Sequence, residues 1–411
     1  MVEAVIVSTA RTPIGRAFKG SLTGWRPDDL AAFAVQAAMD KVPALDPSMI
    51  DDLHLGCGLP GGQQGFNMGR VVTTLLGWEV PGTTITRYCS SSLQTTRMAL
   101  HAIKAGEGDV FISAGVEMVS SFIAPGSDGQ PLGNSDPSGR GENPRFAAAQ
   151  ARTVETAQGA DEWVTPESLG SLPDVYIPMG QTAENVALQE GITREEMDDF
   201  AYESQMRYQT AQAEGFWARE ITPIPLADGT MMEADESPRA PNREKMAQLK
   251  PVFRPDGRVT AGNACPLNDG AAAVVIMSDT KAAELGLTPL ARVVSTGVSA
   301  LDPEIMGLGP IAASRNALKI AGMTIDDIDL VEINEAFAAQ VIPSARALGV
   351  DHDKLNVHGG GIALGHPFGM TGARITGTLL NGLNSTDGTF GLETMCVGGG
   401  MGMAMIIERL S

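Results

Sequence analysis

The sequence predicts an α/β protein built from two similar halves of alternating strand and helix, with a polar region inserted between them. Three observations carry this expectation. A stretch of the chain repeats: Ala38-Met39-Asp40 to Asp51-Asp52-Leu53-His54-Leu55 is matched by Ala317-Leu318-Lys319 to Asp326-Asp327-Ile328-Asp329-Leu330, each a helix end, an acidic turn and a strand. In both halves a strand, a Gly- or Ser-rich turn, a helix and a closing strand follow, so Thr86 to Leu100 falls opposite Val357 to Leu380. Between Ser121 and about Lys250 the texture shifts to Gly, Pro, Ser, Asp and Glu, too long a stretch for an ordinary connection. Two like halves imply two sheets with helices between and outside them, related by a pseudo-twofold. The expected units are an N-terminal half over 1–120, completed by about 251–277, an inserted loop domain over 121–250, and a C-terminal half over 278–411.

Composition narrows the function classes. With 411 residues, 43% hydrophobic and 19% charged, the chain can bury a large core. A formal net charge of −20 argues against nucleic acid as a partner, because no basic field exists to release counterions. An anionic ligand would need local basic contacts. Cys57, Cys89, Cys265 and Cys396 lie far apart, which fits neither a zinc site nor a disulfide framework. The longest apolar runs, such as Ala271 to Met277, are too short to span a bilayer, and Ala4-Val5-Ile6-Val7 enters a strand at once. A soluble cytoplasmic protein with no membrane partner is the expectation.

Taken in order, Glu3 to Ser8 reads as a strand and Arg11 to Gly15 as a turn. Pro27-Asp28-Asp29 opens a helix that runs to about Lys41, the proline suiting its first turn and the acids its positive end. Asp52 to Leu55 is a strand. Gly56-Cys57-Gly58-Leu59-Pro60-Gly61 matches G-x-G-x-x-G, but Pro60, Gly61 and Gly62 continue a loop where a dinucleotide fingerprint needs a helix. Thr83 to Thr86 reads as a strand end and Leu93 to Leu100 as a helix, so Cys89 sits at a strand-to-helix turn with serines available as caps. That position offers backbone N–H groups and the positive end of a dipole, which would lower a thiol pKa and supply oxyanion donors. Taken alone, Cys89 reads better as a small buried hydrophobe than as a reactive thiol, and the far end of the chain is what changes that. Val110 to Ala114 is an apolar strand, read as a sheet edge in need of cover. In the inserted region one helical stretch spans Thr182 to Glu214, and Ala271 to Met277 resumes a buried strand.

The second half adds three dense stretches: Asn334-Glu335-Ala336-Phe337-Ala338 after a strand, Asn356 to Gly361 leading to Gly365-His366-Pro367, and Cys396-Val397-Gly398-Gly399-Gly400. With Cys89 they supply a nucleophile, a base, backbone oxyanion donors and a second thiol as acid/base.

These stretches, with Arg11-Thr12-Pro13, Met179 to Asn185 and Gly262 to Gly270, resemble the thiolase family over essentially the whole chain. The resemblance implies a five-layer αβαβα fold. It also implies a CoA-dependent acyltransferase that cleaves 3-oxoacyl-CoA to acetyl-CoA and a shortened acyl-CoA, in fatty-acid or related β-oxidation. His366 would take the proton of Cys89, Cys89 would carry the acyl group, and Cys396 would protonate the departing acetyl-CoA carbanion. Asn334, through a water, and His366 would form one oxyanion site, and the N–H groups of Cys89 and Gly398 the other. CoA is then a substrate rather than a resident cofactor, no metal is implied, and a homodimer or homotetramer is expected. Met179 and Cys265 would line the pantetheine path. Arg239, Arg243 and Lys245, one of few basic clusters, would meet the CoA nucleotide. Pro178 and Cys265-Pro266 depart from biosynthetic relatives and lean towards the degradative type. Acetoacetyl-CoA thiolase run in the condensing direction and a non-catalytic acyl-CoA-binding protein are the alternatives. Ser92 stands where the family has glycine and would alter the shape of the acyl pocket or the approach of backbone at the helix start. His358 would be a supporting hydrogen-bonding residue, His54, His101 and His352 structural or solvated, and Cys57 and Cys265 packing thiols.

Overall fold

The computed structural model describes residues 2–123, 142–159 and 163–411, so parts of the expected loop domain lie outside the described residues. The first half contains β1 (Ala4–Arg11), β2 (Gly15–Arg16), α1 (Pro27–Met39), β3 (Asp52–Cys57), α2 (Met68–Leu75), β4 (Gly82–Ile85), α3 (Ser91–Ala105) and β5 (Val110–Met118). The inserted region holds α4 (Ala147–Ala157), α5 (Met179–Gln189), α6 (Arg194–Ala213), the short pair β6 (Ile224–Pro225) and β7 (Met231–Met232), and α7 (Arg243–Ala247). Then come β8 (Asn268–Ser278), α8 (Asp279–Glu284), β9 (Ala291–Ala300), α9 (Gly309–Ala321), β10 (Leu330–Ile333), α10 (Ala338–Leu348), α11 (Gly361–Leu364), α12 (Thr371–Thr386), β11 (Phe390–Val397) and β12 (Met401–Arg409).

Hydrogen bonding runs through the strand order β10-β11-β12-β9-β1-β8-β5-β3-β4. The two halves meet at β1 and β9 through only two register pairs, Val5 with Arg292 and Ile6 with Ala291. On either side of that seam the pairing repeats. β3 is parallel to β4 and β5, and β5 is antiparallel to β8, which is antiparallel to β1. In the second half β10 is parallel to β11, β11 antiparallel to β12, and β12 antiparallel to β9. A lone parallel bridge from Val331 to Leu355 stands where β4 stands in the first half.

Side-chain alternation along the strands builds five layers. Ala271, Ala273, Val275 and Met277 of β8 face outward onto α1 and α2. Ala272, Val274 and Ile276 face a central layer made by α3 and α12. Met403, Met405 and Ile407 of β12 face the same central layer, while Ala404 and Ile406 face α9 and α10. The predicted αβαβα arrangement is therefore present, each sheet buried on both faces.

Three local expectations need correction. Val110 to Ala114 is no edge: β5 lies between β3 and β8, and the edge strand is β4. The helical stretch from Thr182 to Glu214 is two helices. Gly191 at φ +66 ends the first, and a Thr193–Glu196 capping box starts the second. The serines before α3 do not cap it. Ser90 Oγ donates to Arg87 O at 3.1 Å, and no side-chain bond caps the helix.

Candidate active site

Cys89 is placed by a tight turn. After β4 the chain passes through Tyr88 at φ +43, a left-handed conformation that strains any residue but glycine, and one 3-10 turn leads into α3. Ser91 holds the turn: its Oγ accepts the Arg87 N–H at 2.9 Å and donates to Tyr88 O at 2.7 Å. Cys89 is buried, with 8% of the residue exposed, and the backbone N–H groups of Gly398 and of Cys89 itself lie close enough to its sulfur to favour the thiolate. Gly398 begins the turn between β11 and β12, where Gly399 and Gly400 both adopt positive φ, +78 and +79. A Cβ at Gly400 would lie 2.3 Å from Leu301 O, so only glycine lets the turn close beneath the thiol.

His366 and Asn334 come from the second half and meet each other. Asn334 follows β10 and anchors its N–H on Thr394 O at 2.9 Å. Its Nδ2 lies 3.2 Å from His366 Nε2, and its buried Oδ1 has no partner among the described residues. His366 Nδ1 lies 2.6 Å from Thr371 Oγ1, and the His366 N–H donates to Asn268 Oδ1 at 3.2 Å. Both side chains are 1% exposed.

Cys396, near the end of β11, is fully buried in an apolar cluster with Ala336, Phe337 and Ile362, against which Met179 packs. Burial above all keeps it a thiol, with Cys89 and Cys265 near enough to add to that effect. Burial raises the Cys265 pKa and keeps it a neutral thiol, in keeping with the reading of it as an inert packing residue. Cys265 hangs beside the Asn334 turn by a hydrogen bond from its N–H to Ala336 O at 3.0 Å. The expected lowering of the Cys89 pKa is overturned. Burial pushes the thiol up to about 12, outweighing the Gly398 N–H that favours the thiolate. Burial, aided by the positive charge of Arg374, pushes His366 down to about 3. At rest, then, thiol and imidazole are both neutral.

Two buried carboxylates that sequence reasoning missed hold the loops around these groups. Glu117, at the end of β5, accepts from Gly58 N at 2.7 Å, Leu59 N at 3.2 Å, Gln64 Nε2 at 2.8 Å and Gly369 N at 2.8 Å. It ties the glycine loop after β3 to the loop after His366, and that is the role of the G-x-G-x-x-G stretch. Glu335 accepts from Ser204 Oγ at 2.6 Å, Asn356 Nδ2 at 2.9 Å and Ile362 N at 3.0 Å. It links the inserted region to the loop carrying His366. For Glu117 the available signal was a charged residue inside an otherwise apolar strand run, since an unpaired carboxylate would not be buried there.

The remaining singled-out residues sort clearly. Met179, at the start of α5, has its sulfur 3.7 Å from the Cβ position of Gly398 and so borders the site. Arg239 and Arg243 stand apart on the surface of the inserted region. Arg239 Nη2 donates to Ala261 O at 3.1 Å, and Arg243 pairs with Asp199 and lies 4.1 Å above the Tyr202 ring. Lys245 is exposed on α7 beside them. Ser92 is not in an acyl pocket. It is fully buried, and its Oγ accepts the Ala373 N–H at 2.9 Å, joining α3 to the first turn of α12. His358 is not a hydrogen-bonding support: its ring stacks on Phe216 at 3.7 Å and its Nδ1 has no partner among the described residues. His54 is structural, stacked on Phe111 at 5.4 Å.

Comparison with known proteins agrees with this geometry. Family models described as the thiolase N-terminal domain and the thiolase C-terminal domain match residues 4–280 and 287–409. The chain is 41% identical to a beta-ketoadipyl-CoA thiolase of Acinetobacter baylyi, with all of both chains covered. It is 40% identical to the 3-ketoacyl-CoA thiolase of Bacillus subtilis over 99% of this chain and 100% of that one. Among solved structures, human mitochondrial 3-ketoacyl-CoA thiolase in complex with CoA superposes with a TM-score of 0.84 at 35% identity, covering 100% of this chain and 98% of the other.

Proposed function

This chain belongs to the thiolase family, and from that premise we propose that it cleaves 3-oxoacyl-CoA with CoA, through an acyl group carried on Cys89, in β-oxidation-type metabolism. What supports the reading is the pairing of these buried groups: the Gly398 N–H acts on the Cys89 thiol, Cys89 acts on Cys396, and His366 pairs with Asn334.

The chemistry follows from that cluster. As Cys89 attacks C3 of the substrate, its proton passes to His366. Because both groups rest neutral, the thiolate forms during attack rather than before it, which is general-base catalysis. Negative charge then develops on the C3 oxygen, and preorganised donors stabilise it; removing one such donor costs about 10²–10³ in rate. The C2–C3 bond breaks with its electron pair on C2, and the Cys396 thiol protonates that carbon, leaving acetyl-CoA. The CoA thiol attacks the acyl-Cys89, giving up its proton to the Cys396 thiolate. As the tetrahedral adduct collapses to the shortened acyl-CoA, His366 returns its proton to the Cys89 sulfur.

On the substrate side, Met179 and Cys265 line the way in, and Arg239, Arg243 and Lys245 meet the phosphates of the CoA nucleotide. Charge reversal at Arg243 should raise the KM for CoA and leave kcat nearly unchanged; no change in either removes it from the site. The protein acts as a soluble homo-oligomer, at least a dimer, with the half-buried edge strand β4 as the surface in need of cover. Light scattering that returns a monomer at assay concentration would refute this.

The deciding experiment separates the two thiols. Cys396→Ala should still take an acetyl group from acetyl-CoA on Cys89 but lose thiolysis by at least about 10²-fold, as for loss of a general acid/base. Cys89→Ala should lose both. Peptide mapping that places the acetyl on Cys396, or near-normal thiolysis by Cys396→Ala, would overturn the roles.

A further inference from the structure

We propose that Thr371 is a positioning residue for His366: its hydroxyl holds the imidazole as the tautomer protonated on Nδ1, which leaves Nε2 as the atom that accepts the Cys89 proton. The inference rests on the reading of His366 as the base of Cys89 and extends it to a residue with no assigned part.

The argument is an accounting of hydrogens. Thr371 Oγ1 has two close partners, Pro367 O at 2.8 Å and His366 Nδ1 at 2.6 Å, but only one proton. A carbonyl oxygen only accepts, so the Thr371 proton goes to Pro367 O, the acceptor four residues back that a threonine in the first turn of a helix reaches. Thr371 Oγ1 must then accept, and Nδ1 must carry hydrogen. Asn334 Nδ2 lies 3.2 Å from Nε2 and 3.5 Å from Nδ1, almost equally far from the two, so it does not sit head-on at the Nε2 lone pair and leaves it open for the Cys89 proton. Thr371 is fully buried and His366 nearly so, so water does not compete for either bond.

The tautomer matters because the ring must become charged during the reaction. Arg374, one turn further along α12, opposes imidazolium, and burial opposes it more strongly. The groups packed around the ring include Phe368, edge-on at 5.2 Å, Asn334 and Thr371, none of which supplies a negative charge. The Nδ1–H bond to Thr371 strengthens once the ring is positive, since charge-assisted hydrogen bonds are about twice as strong as neutral ones. Thr371 therefore favours the transition state over the resting state, which is how it can affect rate without touching substrate.

The test compares Thr371→Val, which keeps the shape and loses the hydroxyl, with Thr371→Ser, which keeps the hydroxyl. His366→Ala serves as the control. Acetylation of Cys89 by acetyl-CoA is followed by rapid quench across pH 6.5–9.5, with melting temperatures to establish folding. Thr371→Val should acetylate about 10–100-fold more slowly than the parent at neutral pH, the range for losing a group that orients a ligand or base. Thr371→Ser should stay within about threefold of the parent. The deficit of Thr371→Val should shrink as pH rises, because hydroxide then does part of the base's work. The proposal is overturned by near-parental acetylation in Thr371→Val, by equal losses in both variants, or by a deficit constant across pH. If His366→Ala itself acetylates normally, the base assignment falls; if His366→Ala is inactive while Thr371→Val is normal, only the role of Thr371 falls. Should Thr371→Val fail to fold, Thr371→Ala read against Thr371→Ser poses the same question.

Discussion

At the scale of the residue, Cys89, the proposed nucleophile, is kept as a thiol. Two N–H groups point at its sulfur, yet burial wins and holds its pKa up to about 12, while His366 is held down to about 3. Neither gains from the other in the resting state, because transferring the proton would create two charges in a site that solvates neither. This predicts how the free enzyme meets an alkylating agent. A thiol with a raised pKa is thiolate only above that pKa, so carboxamidomethylation of Cys89 by iodoacetamide should climb with pH through at least pH 9. A plateau between pH 6 and 7, measured by peptide mapping of the Cys89 adduct, would instead indicate a preformed thiolate–imidazolium pair.

At the scale of the element, the site depends on how closely α3 and α12 approach. Ser92 of α3 accepts the Ala373 N–H of α12, and a Cβ at Gly372 would lie 2.4 Å from Leu93 N. Backbone cannot yield as a flexible side chain can. Gly372→Ala should therefore destabilise the protein by roughly 1–3 kcal/mol or more, the range for overpacking, despite the better helix propensity of alanine. Gly377, on the same helix, is the control. A Cβ there finds only Thr9, at 3.5 Å and beyond, so Gly377→Ala should be neutral or stabilising by up to about 1 kcal/mol. Melting curves that rank the two variants the other way would contradict this packing. Because α3 begins just behind Cys89 and α12 just behind His366, Gly372→Ala should also slow acetylation of Cys89.

At the scale of the whole molecule, the central layer buries charge as well as apolar surface. Arg11 bonds Glu220 and Asp235, each at 2.7 Å, and so fastens β1 to the inserted region. Glu332 and Glu393 are register partners on β10 and β11, and both lie buried near Arg374 of α12. Burial pushes both carboxyls up to about 8. The sign of the consequence is definite. An unfolded chain releases these protons near the ordinary glutamate value of 4.5, whereas the folded protein keeps them to about pH 8. Between those values the folded state binds more protons, so stability falls as pH rises from about 4.5 to about 8 and levels off above. Glu393→Gln removes one of the two groups. Its melting temperature should gain on that of the parent as pH rises from 5 to 8; parallel curves over that range would show that Glu393 does not titrate as described.

What the sequence determined by itself is what depends on residue type and order. The repeat from Ala38 to Leu55 and from Ala317 to Leu330 is a local pattern, so the two halves and the correspondence of α3 with α12 were legible, as were Cys89, His366, Asn334 and Cys396 as the chemical groups. The tertiary structure decided what depends on surroundings. Whether the Cys89 pKa falls or rises turns on desolvation by elements hundreds of residues away, which outweighs the local dipole that a sequence reader can see. Glu117 and Glu335 became the supports of the site only when the loops they bind were brought to them, Ser92 became a link between helices, and His358 became a stacking partner of Phe216. The nitrogen on which His366 carries its proton is set by Thr371, whose hydroxyl meets Nδ1, because a hydrogen bond has direction and direction exists only once the chain has closed.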